Sequence, residues 1–155
     1  MSKHYHNENH LLMIEKVLLL KSLSIFSQTP ETILTEVAEI LEEVEYEKGT
    51  NVFKVGDIAS SMYIIYKGEI KIHKEGHTLA TMHENNFFGE LSLLDTDTRS
   101  ANATANTDVF LLKMNQEPFY ELMENRIEVV RGIIKTLCQR LRVQNEKSIE
   151  NSLRK

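Results

Sequence analysis

The spacing of apolar residues predicts two helices near the start of the chain. Over about residues 10–22, apolar positions recur at the three- and four-residue intervals of one helix face. A second helix is expected to begin at Thr29-Pro30-Glu31, because a capping hydroxyl, a proline and an acidic side chain suit successive first positions of a helix. The buried stripe expected of this second helix is Ile33, Leu34, Val37, Ile40 and Leu41.

The pattern then changes to the two-residue period of β-strands. Short segments of this kind are separated by turn signals that contain glycine. The predicted strands are residues 44–47, 52–55, 62–66, 69–73, 79–82 and, further along the chain, 109–113. Several short strands at this spacing indicate an antiparallel barrel or jelly roll with helices at both ends of the chain.

Helical spacing returns in the last quarter of the chain. Asn115 is expected to cap a helix that contains Phe119, and a longer helix is expected to begin near Arg126. One face of the longer helix carries Ile127, Val130, Ile134, Leu137 and Leu141. The pattern fades past Val143, so the residues beyond it are expected to fray.

These elements divide the chain into three predicted segments. Residues 1–9 are polar and are expected to form a disordered tail. Residues 10–125 are expected to hold the first helices and the β-barrel, and residues 126–155 a C-terminal helix that acts as a lid or dimer contact.

Composition narrows the possible classes of function. The chain has 155 residues and a net charge of −5, which fits a single core and disfavours general binding to a phosphate backbone. Its single cysteine excludes an internal disulfide and a multi-cysteine zinc site. His4, His6 and His10 are better explained as solvated side chains than as metal ligands. We find no motif of an enzyme, and the polar start without a signal peptide predicts a cytoplasmic protein.

The segment FFGELSLLDTDTRSANATA offers groups suited to a sugar phosphate. Gly89 permits close approach of the backbone, Glu90 can accept hydrogen bonds from a sugar hydroxyl, and a helical turn after it would present N–H groups to an anion. Arg99 adds a permanent cation with a forked set of donors. A second interpretation is an ordinary turn, in which Arg99 is exposed and paired with Asp95 or Asp97.

The same segment resembles a known motif. F-G-E-L-S-L-L followed by R-S-A is similar to the phosphate-binding cassette of cyclic-nucleotide-binding domains, found in regulatory subunits of cAMP-dependent protein kinase, cyclic-nucleotide-gated channels and bacterial catabolite activators. The resemblance covers about residues 19–143 and includes the turn Gly56-Asp57 and the strand after Lys67-Gly68. It implies a mainly β fold with flanking helices: an antiparallel jelly-roll barrel, or double-stranded β-helix.

The resemblance also implies a set of ligand-binding residues. Glu90 would hold the ribose 2′-hydroxyl, amides of the next two residues would meet the phosphate, and Arg99 would pair with it. The full set in the cassette is Gly89, Glu90, Leu91, Ser92, Arg99, Ser100 and Ala101. The implied ligand is cAMP or cGMP, with no cofactor, and Ser100 is compatible with both nucleotides; we favour cAMP.

The last helix resembles the dimer helix of the catabolite activators from Arg140 onwards. This implies that Gln144 and Asn145 contact the base, one from each subunit of a homodimer, and that Arg140 pairs with the cassette acid. The alternative is that this end of the helix is exposed to solvent and does not contact a ligand. We expect no DNA-binding domain, because few residues follow Val143.

Two hypotheses of function follow from the resemblance. The leading one is a sensor in which nucleotide binding moves the C-terminal helix. The alternative is a degenerate cassette without nucleotide, in which that helix serves dimerisation or docking to a larger effector or membrane protein.

The cassette turn departs from the family in ways that predict a looser site. Asp95-Thr96-Asp97-Thr98 stands where the family often has glycine, and proline just before the arginine, so the turn is expected to be less pre-organised. Small residues after Arg99 replace the β-branched residues that strands prefer, so the floor of the pocket is also expected to be looser.

Overall fold

The computed structural model describes residues 11–154. Its helices are α1 (Met13–Ser22), α2 (Glu31–Glu39), α3 (Glu90–Leu94), α4 (Gln116–Asn125) and α5 (Ile127–Leu153), with a 3₁₀ helix at Ser24–Phe26. Its strands are β1 (Leu41–Tyr46), β2 (Asn51–Phe53), β3 (Ile58–Ala59), β4 (Ser61–Lys67), β5 (Ile70–Lys74), β6 (His77–Met82), β7 (Phe87–Phe88), β8 (Asp97–Thr98), β9 (Asn102–Ala105) and β10 (Val109–Asn115). The predicted tail, residues 1–9, lies outside the described residues. None of the helices within residues 11–154 is both long and apolar enough to cross a membrane.

The chain divides into two compact units. Residues 40–120 form the first unit, which contains the strands, and residues 11–39 with 121–154 form the second. The strands of the first unit form two four-stranded sheets, ordered β1-β10-β4-β7 and β2-β9-β5-β6, and a two-stranded pair of β3 and β8. The predicted antiparallel, mainly β fold with flanking helices is confirmed, although hydrogen bonds do not close these sheets into one barrel.

The two four-stranded sheets of the first unit share one apolar core. Ile65 and Leu111 from one sheet, and Ile70 from the other, are fully buried in it. Ala103 and Ala105 of β9 also face this core and are at most 1% exposed. Because β9 lies between β2 and β5, its small side chains pack against larger residues of the same core, including Phe53 and Ile72. The looser floor expected after Arg99 stays a prediction.

Two expectations about the start and the end of α2 are wrong. The hydroxyl of Thr29 does not cap this helix: Thr29 is 3% exposed, and its Oγ1 has no hydrogen-bond partner among the described residues. Leu41, expected on the helix, instead begins β1 and pairs with Met114 of β10. Pairing with a distant strand therefore overrides the local helical spacing at the end of α2.

Helix α5 is longer than its apolar pattern predicts, and it packs through a different face. It continues to Leu153: half of the residues from 144 to 153 are good helix formers, and none of them is a glycine or a proline. The residues buried on α5 are Val129, Gly132, Ile133 and Thr136. A Cβ on Gly132 would lie 3.2 Å from Oγ1 of Thr29, so the glycine lets α5 approach the segment before α2 closely.

Of the five residues on the apolar face predicted for α5, three are exposed and two, Val130 and Leu137, are half-buried. Ile127, Ile134 and Leu141 are each more than half exposed, at 54%, 55% and 58%. These three residues follow one another at intervals of seven, which is the repeat of a coiled-coil contact.

Candidate functional site

Arg99 lies in the first unit, between β8 and β9, and is only 7% exposed. Its Nη2 donates to the carbonyl oxygen of Ser61 at 2.8 Å, and its Nη1 donates to Oγ of Ser92 at 3.2 Å. Its Nε is buried without a hydrogen-bond partner among the described residues. The interpretation of Arg99 as an exposed partner of Asp95 or Asp97 is wrong, since no ion pair within residues 11–154 includes Arg99.

Aromatic rings cover the guanidinium of Arg99. Its central carbon lies 4.1 Å from the ring centroid of Phe53 and 6.0 Å from that of Tyr63. Cation–π attraction offsets part of the cost of removing the cation from water. Burial still lowers the pKa of Arg99, although interactions with Tyr63 and Asp57 oppose this shift.

The phenol of Tyr63 does not supply a counter-charge. Burial raises the pKa of Tyr63 to about 12, so its hydroxyl is neutral at physiological pH. Among the described residues, the site therefore holds a buried cation whose direct hydrogen-bond partners are all neutral.

Gly89 brings backbone and guanidinium into close contact. It precedes α3 in a left-handed conformation, with φ 79° and ψ 19°. A Cβ at this position would lie 2.7 Å from Nη1 of Arg99 and 3.0 Å from the carbonyl oxygen of Ser61. The sequence predicts a close approach of Gly89 to a ligand, and the structure adds a close approach to the arginine.

Helix α3 supplies the other predicted cassette groups. Glu90 is its first residue and is half-buried, whereas Leu91 is 67% exposed. The amide of Ser92 donates to the carbonyl of Gly89 at 3.1 Å, which closes the first turn. Leu93 is fully buried and anchors the helix in the first unit. N–H groups at the start of a helix attract anions.

The backbone of Arg99 is held by the turn Gly56-Asp57. The amide of Arg99 donates to the carbonyl of Asp57 at 2.8 Å, and the amide of Gly56 donates to the carbonyl of Arg99 at 2.9 Å. Ser100 beside it is exposed, and Ala101 is buried. Of the predicted cassette residues, the structure brings Gly89 and Ser92 against the guanidinium of Arg99.

Sequence reasoning missed two contributors to this site. Ser61 acts through its carbonyl oxygen, which every residue type has, so no sequence signal could have identified it. Phe53 occupies an inward position of a strand, where an aromatic ring is typical of the core. Its contact with Arg99 depends on the fold.

The residues predicted to contact the base lie on α5, in the second unit. Nη2 of Arg140 makes a short contact with Oγ of Ser24 in the 3₁₀ helix. Gln144 and Asn145 are exposed. An open groove of about 600 Å³ in the second unit is lined by Ser24, Ser27, Thr136, Gln139, Arg140, Val143, Gln144 and Lys147.

The sheets and the buried cation define a class of protein, a mainly β domain that holds an arginine inside it. A family model described as "Cyclic nucleotide-binding domain" matches residues 43–126, which is more than half of the chain. The chain therefore belongs to the cyclic nucleotide-binding domain family. The predicted family is thus confirmed.

Relatives of known function share this domain. The chain is 32% identical over 128 residues to cGMP-dependent protein kinase 2 of Mus musculus, covering 76% of this chain and 17% of the kinase. It is 27% identical over 132 residues to the CRP-like cAMP-activated global transcriptional regulator of Mycobacterium tuberculosis, covering 82% of this chain and 59% of the regulator. The chain thus spans less than two thirds of either relative.

A solved structure supports the same fold. The N-terminal domain of a transcriptional regulator from Streptomyces coelicolor A3(2) superposes with a TM-score of 0.79 at 27% identity, covering 83% of this chain and 95% of that one. The match includes most of both chains, so the predicted jelly-roll fold is confirmed.

Proposed function

We propose that this domain binds a cyclic nucleotide at α3 and Arg99 and acts as a regulatory sensor without catalytic activity of its own. The observation that carries the proposal is the buried guanidinium of Arg99. It has no carboxylate partner among the described residues, and its Nε–H is unpaired. A buried charge without a counter-charge is costly, and a cyclic phosphate would supply that counter-charge together with acceptors for the unpaired donor.

The proposed contacts follow the order of the cassette. Glu90 accepts from the ribose 2′-hydroxyl, the amide of Leu91 faces the phosphate, and Arg99 pairs with it. The amide of Ser92 would exchange its hydrogen bond to the carbonyl of Gly89 for one to the phosphate. The remaining proposed contacts are Gly89, Ser100 and Ala101. We propose cAMP rather than cGMP as the ligand, with the hydroxyl of Ser100 beside the phosphate.

Helix α5 is the proposed output of binding. A ligand shifts the position of a helix only if it binds one of two states more tightly than the other. We propose that Arg140, Gln144 and Asn145 complete the site at the base in the more tightly bound state.

The exposed stripe Ile127, Ile134 and Leu141 favours a homodimer through α5. In a longer protein, the same helix would contact a larger effector or a membrane protein. We place the domain in the cytoplasm, where cyclic nucleotides signal.

Calorimetric titration of the parent and of Arg99→Ala with cAMP, cGMP and 5′-AMP tests the binding proposal. We expect the parent to bind a cyclic nucleotide and Arg99→Ala to bind at least about tenfold more weakly, because a charge-assisted hydrogen bond is lost. Equal affinity of the parent and Arg99→Ala would show that Arg99 does not bind the nucleotide. A parent that binds none of the three nucleotides would favour the degenerate cassette.

Light scattering tests the role of the stripe on α5. We expect Ile134→Lys to be monomeric where the parent is dimeric, because a charge would lie in an apolar contact. The control is Lys135→Glu, an exposed neighbour outside the stripe. A parent that is monomeric with and without nucleotide would contradict the proposed dimer.

A further inference from the structure

Two side chains at the start of α4 hold the end of α3 and the turn that follows it. Nε2 of Gln116 donates to the carbonyl oxygen of Ser92 at 3.3 Å, and Oε1 of Gln116 accepts from Oγ1 of Thr96 at 2.7 Å. The hydroxyl of Tyr120 donates to the carbonyl oxygen of Leu94 at 2.6 Å. Nε2 of Gln116 also donates to this hydroxyl at 3.2 Å, so the two side chains support each other. We call Gln116 and Tyr120 the α4 clamp.

Two short chains of hydrogen bonds connect Gln116 of the α4 clamp to Arg99, one through Ser92 and one through Ser60 and Ser61. Ser92 is held twice, since its carbonyl accepts from Gln116 while its hydroxyl accepts from Arg99. The amide of Gln116 donates to the carbonyl of Ser60 at 2.9 Å, next to the Ser61 carbonyl that accepts from Arg99. A displacement of Gln116 would therefore alter the alignment of the guanidinium and of α3 together.

The turn after α3 requires such support. Asp95-Thr96-Asp97-Thr98 contains no glycine, which allows the positive φ of many turns, and no proline, which fixes φ. The hydrogen bonds to Thr96 and to Leu94 restrict the same stretch from outside. Ordering the donors before the ligand arrives reduces the entropy that binding must otherwise overcome.

We propose that Gln116 and Tyr120 are positioning residues for nucleotide binding, which fix α3 and the following turn so that the donors around Arg99 stay aligned toward the phosphate. This inference rests on the proposed function, because it assumes that a cyclic nucleotide occupies the cassette. Neither side chain needs to touch the ligand.

The test compares the parent with Gln116→Ala, Tyr120→Phe, Thr96→Val and the control Asn125→Ala. Asn125 lies on the same helix and also donates from a side-chain amide to a backbone carbonyl, that of Glu121 at 2.9 Å, without reaching α3. Tyr120→Phe keeps the ring and removes only the hydroxyl. Thr96→Val removes the hydroxyl that donates to Oε1 of Gln116 and leaves the Gln116 side chain in place.

Two measurements are made on each protein: the Kd for cAMP and cGMP by calorimetry, and amide hydrogen exchange of α3 without nucleotide. We expect Gln116→Ala to bind about five- to tenfold more weakly and Tyr120→Phe about threefold more weakly, from the usual value of single hydrogen bonds at partly exposed sites. Exchange within α3 is expected to accelerate in both variants, with unchanged exchange in β4 and β10. Asn125→Ala is expected to match the parent in both measurements.

The outcomes separate this inference from the proposed function. If the parent binds and Gln116→Ala binds equally well, with only a lower Tm, the clamp is structural and the inference is overturned while the sensor stands. If the parent binds no cyclic nucleotide, the proposed function is overturned. Hydrogen exchange in the nucleotide-free protein then still decides whether the clamp holds α3, since unchanged exchange in Gln116→Ala contradicts it.

Discussion

Arg99 in the first unit and Arg126 in the second are both held in a defined geometry, but by different partners. Nε and Nη2 of Arg126 donate to the two carboxylate oxygens of Glu36 at 2.6 Å each, and the Arg126 side chain is 46% exposed. Arg99 is 7% exposed and is held by a backbone carbonyl, a hydroxyl and an aromatic ring. Their pKa values shift in opposite directions: the hydrogen bonds that Arg126 donates to Glu36 raise the pKa of Arg126, and burial lowers the pKa of Arg99.

This contrast separates an arginine that already has a carboxylate partner from the arginine that we propose binds the phosphate. The carboxylate of Glu36 already satisfies Arg126, and an exposed pair of this kind adds little to stability. Arg99 is largely removed from water and donates to no carboxylate among the described residues, although Asp57 attracts it without a direct ion pair. We therefore expect its charge to be available to an anionic ligand. The two residues are chemically identical, and only their surroundings assign the roles.

The largest effect is expected when both arginines are replaced by methionine in separate variants. Arg99→Met should lose at least about tenfold in cyclic-nucleotide affinity and keep its unfolding free energy within about 1 kcal/mol, because removing an uncompensated buried charge offsets the lost hydrogen bonds. Arg126→Met should retain parental affinity. Calorimetry measures the affinity and urea unfolding measures the free energy of unfolding. Equal losses of affinity in the two variants would contradict the proposal that Arg99, unlike Arg126, binds the nucleotide.

A second test uses two glycines with nearly equal backbone angles. Gly89 and Gly76 have φ values of 79° and 78°, but a Cβ on Gly76 would meet no atom within 4 Å. Alanine at either position should cost about 1–2 kcal/mol through the left-handed backbone. Only Gly89→Ala should also weaken nucleotide binding, by roughly the loss of one hydrogen bond, because its Cβ displaces Arg99. Unaltered affinity in Gly89→Ala would show that Arg99 can move without consequence.

Thr29 tests whether an unpaired buried polar atom by itself indicates a ligand. Its Oγ1 and Nε of Arg99 are the unpaired buried side-chain atoms found among the described residues. Thr29→Val preserves the shape and removes the hydroxyl, so we expect a stability gain of about 1 kcal/mol and no change in nucleotide affinity. A loss of stability in thermal melts would mean that the hydroxyl has a partner in solution.

The smallest effect is expected for the exposed pair of Arg126 and Glu36. The hydrogen bond from Arg126 lowers the pKa of Glu36 below its ordinary value of 4.5. The pair therefore contributes fully above pH 4.5, and its contribution is lost as the pH falls through the folded-state pKa. Thermal melts of the parent and Glu36→Gln should differ slightly at neutral pH and converge in acid. If the Tm difference between the parent and Glu36→Gln grew in acid, the predicted pH dependence of this pair would be wrong.

The local patterns of the chain predict most of the strands and the identity of the cassette. Two-residue alternation and glycine-containing turns depend on the backbone preferences of nearby residues, so they can be recognised without the fold. The short strands β3, β7 and β8 could not be predicted in this way, because two residues show no periodicity. The strand β9 was missed because its residues have low intrinsic preference for a strand.

The α5 helix shows where such patterns fail. Its strongest apolar spacing, that of Ile127, Ile134 and Leu141, correctly predicts a helix but not the face that packs within the second unit. That face is decided by Gly132, whose missing side chain permits close contact with the segment before α2. A small residue carries no hydrophobic signal, although it sets how closely two segments approach.

Residue order alone establishes which side chains stand at the cassette, because a motif is a matter of chemical identity and spacing. It also establishes the β character of the centre and the helical character of both flanks, since these follow from local periodicity. The folded chain is needed to show that Arg99 is buried against Phe53, that the Ser61 carbonyl holds it, and that α4 reaches the cassette turn. These features join residues far apart in the chain, and burial, unlike residue type, is a property of everything that surrounds a side chain.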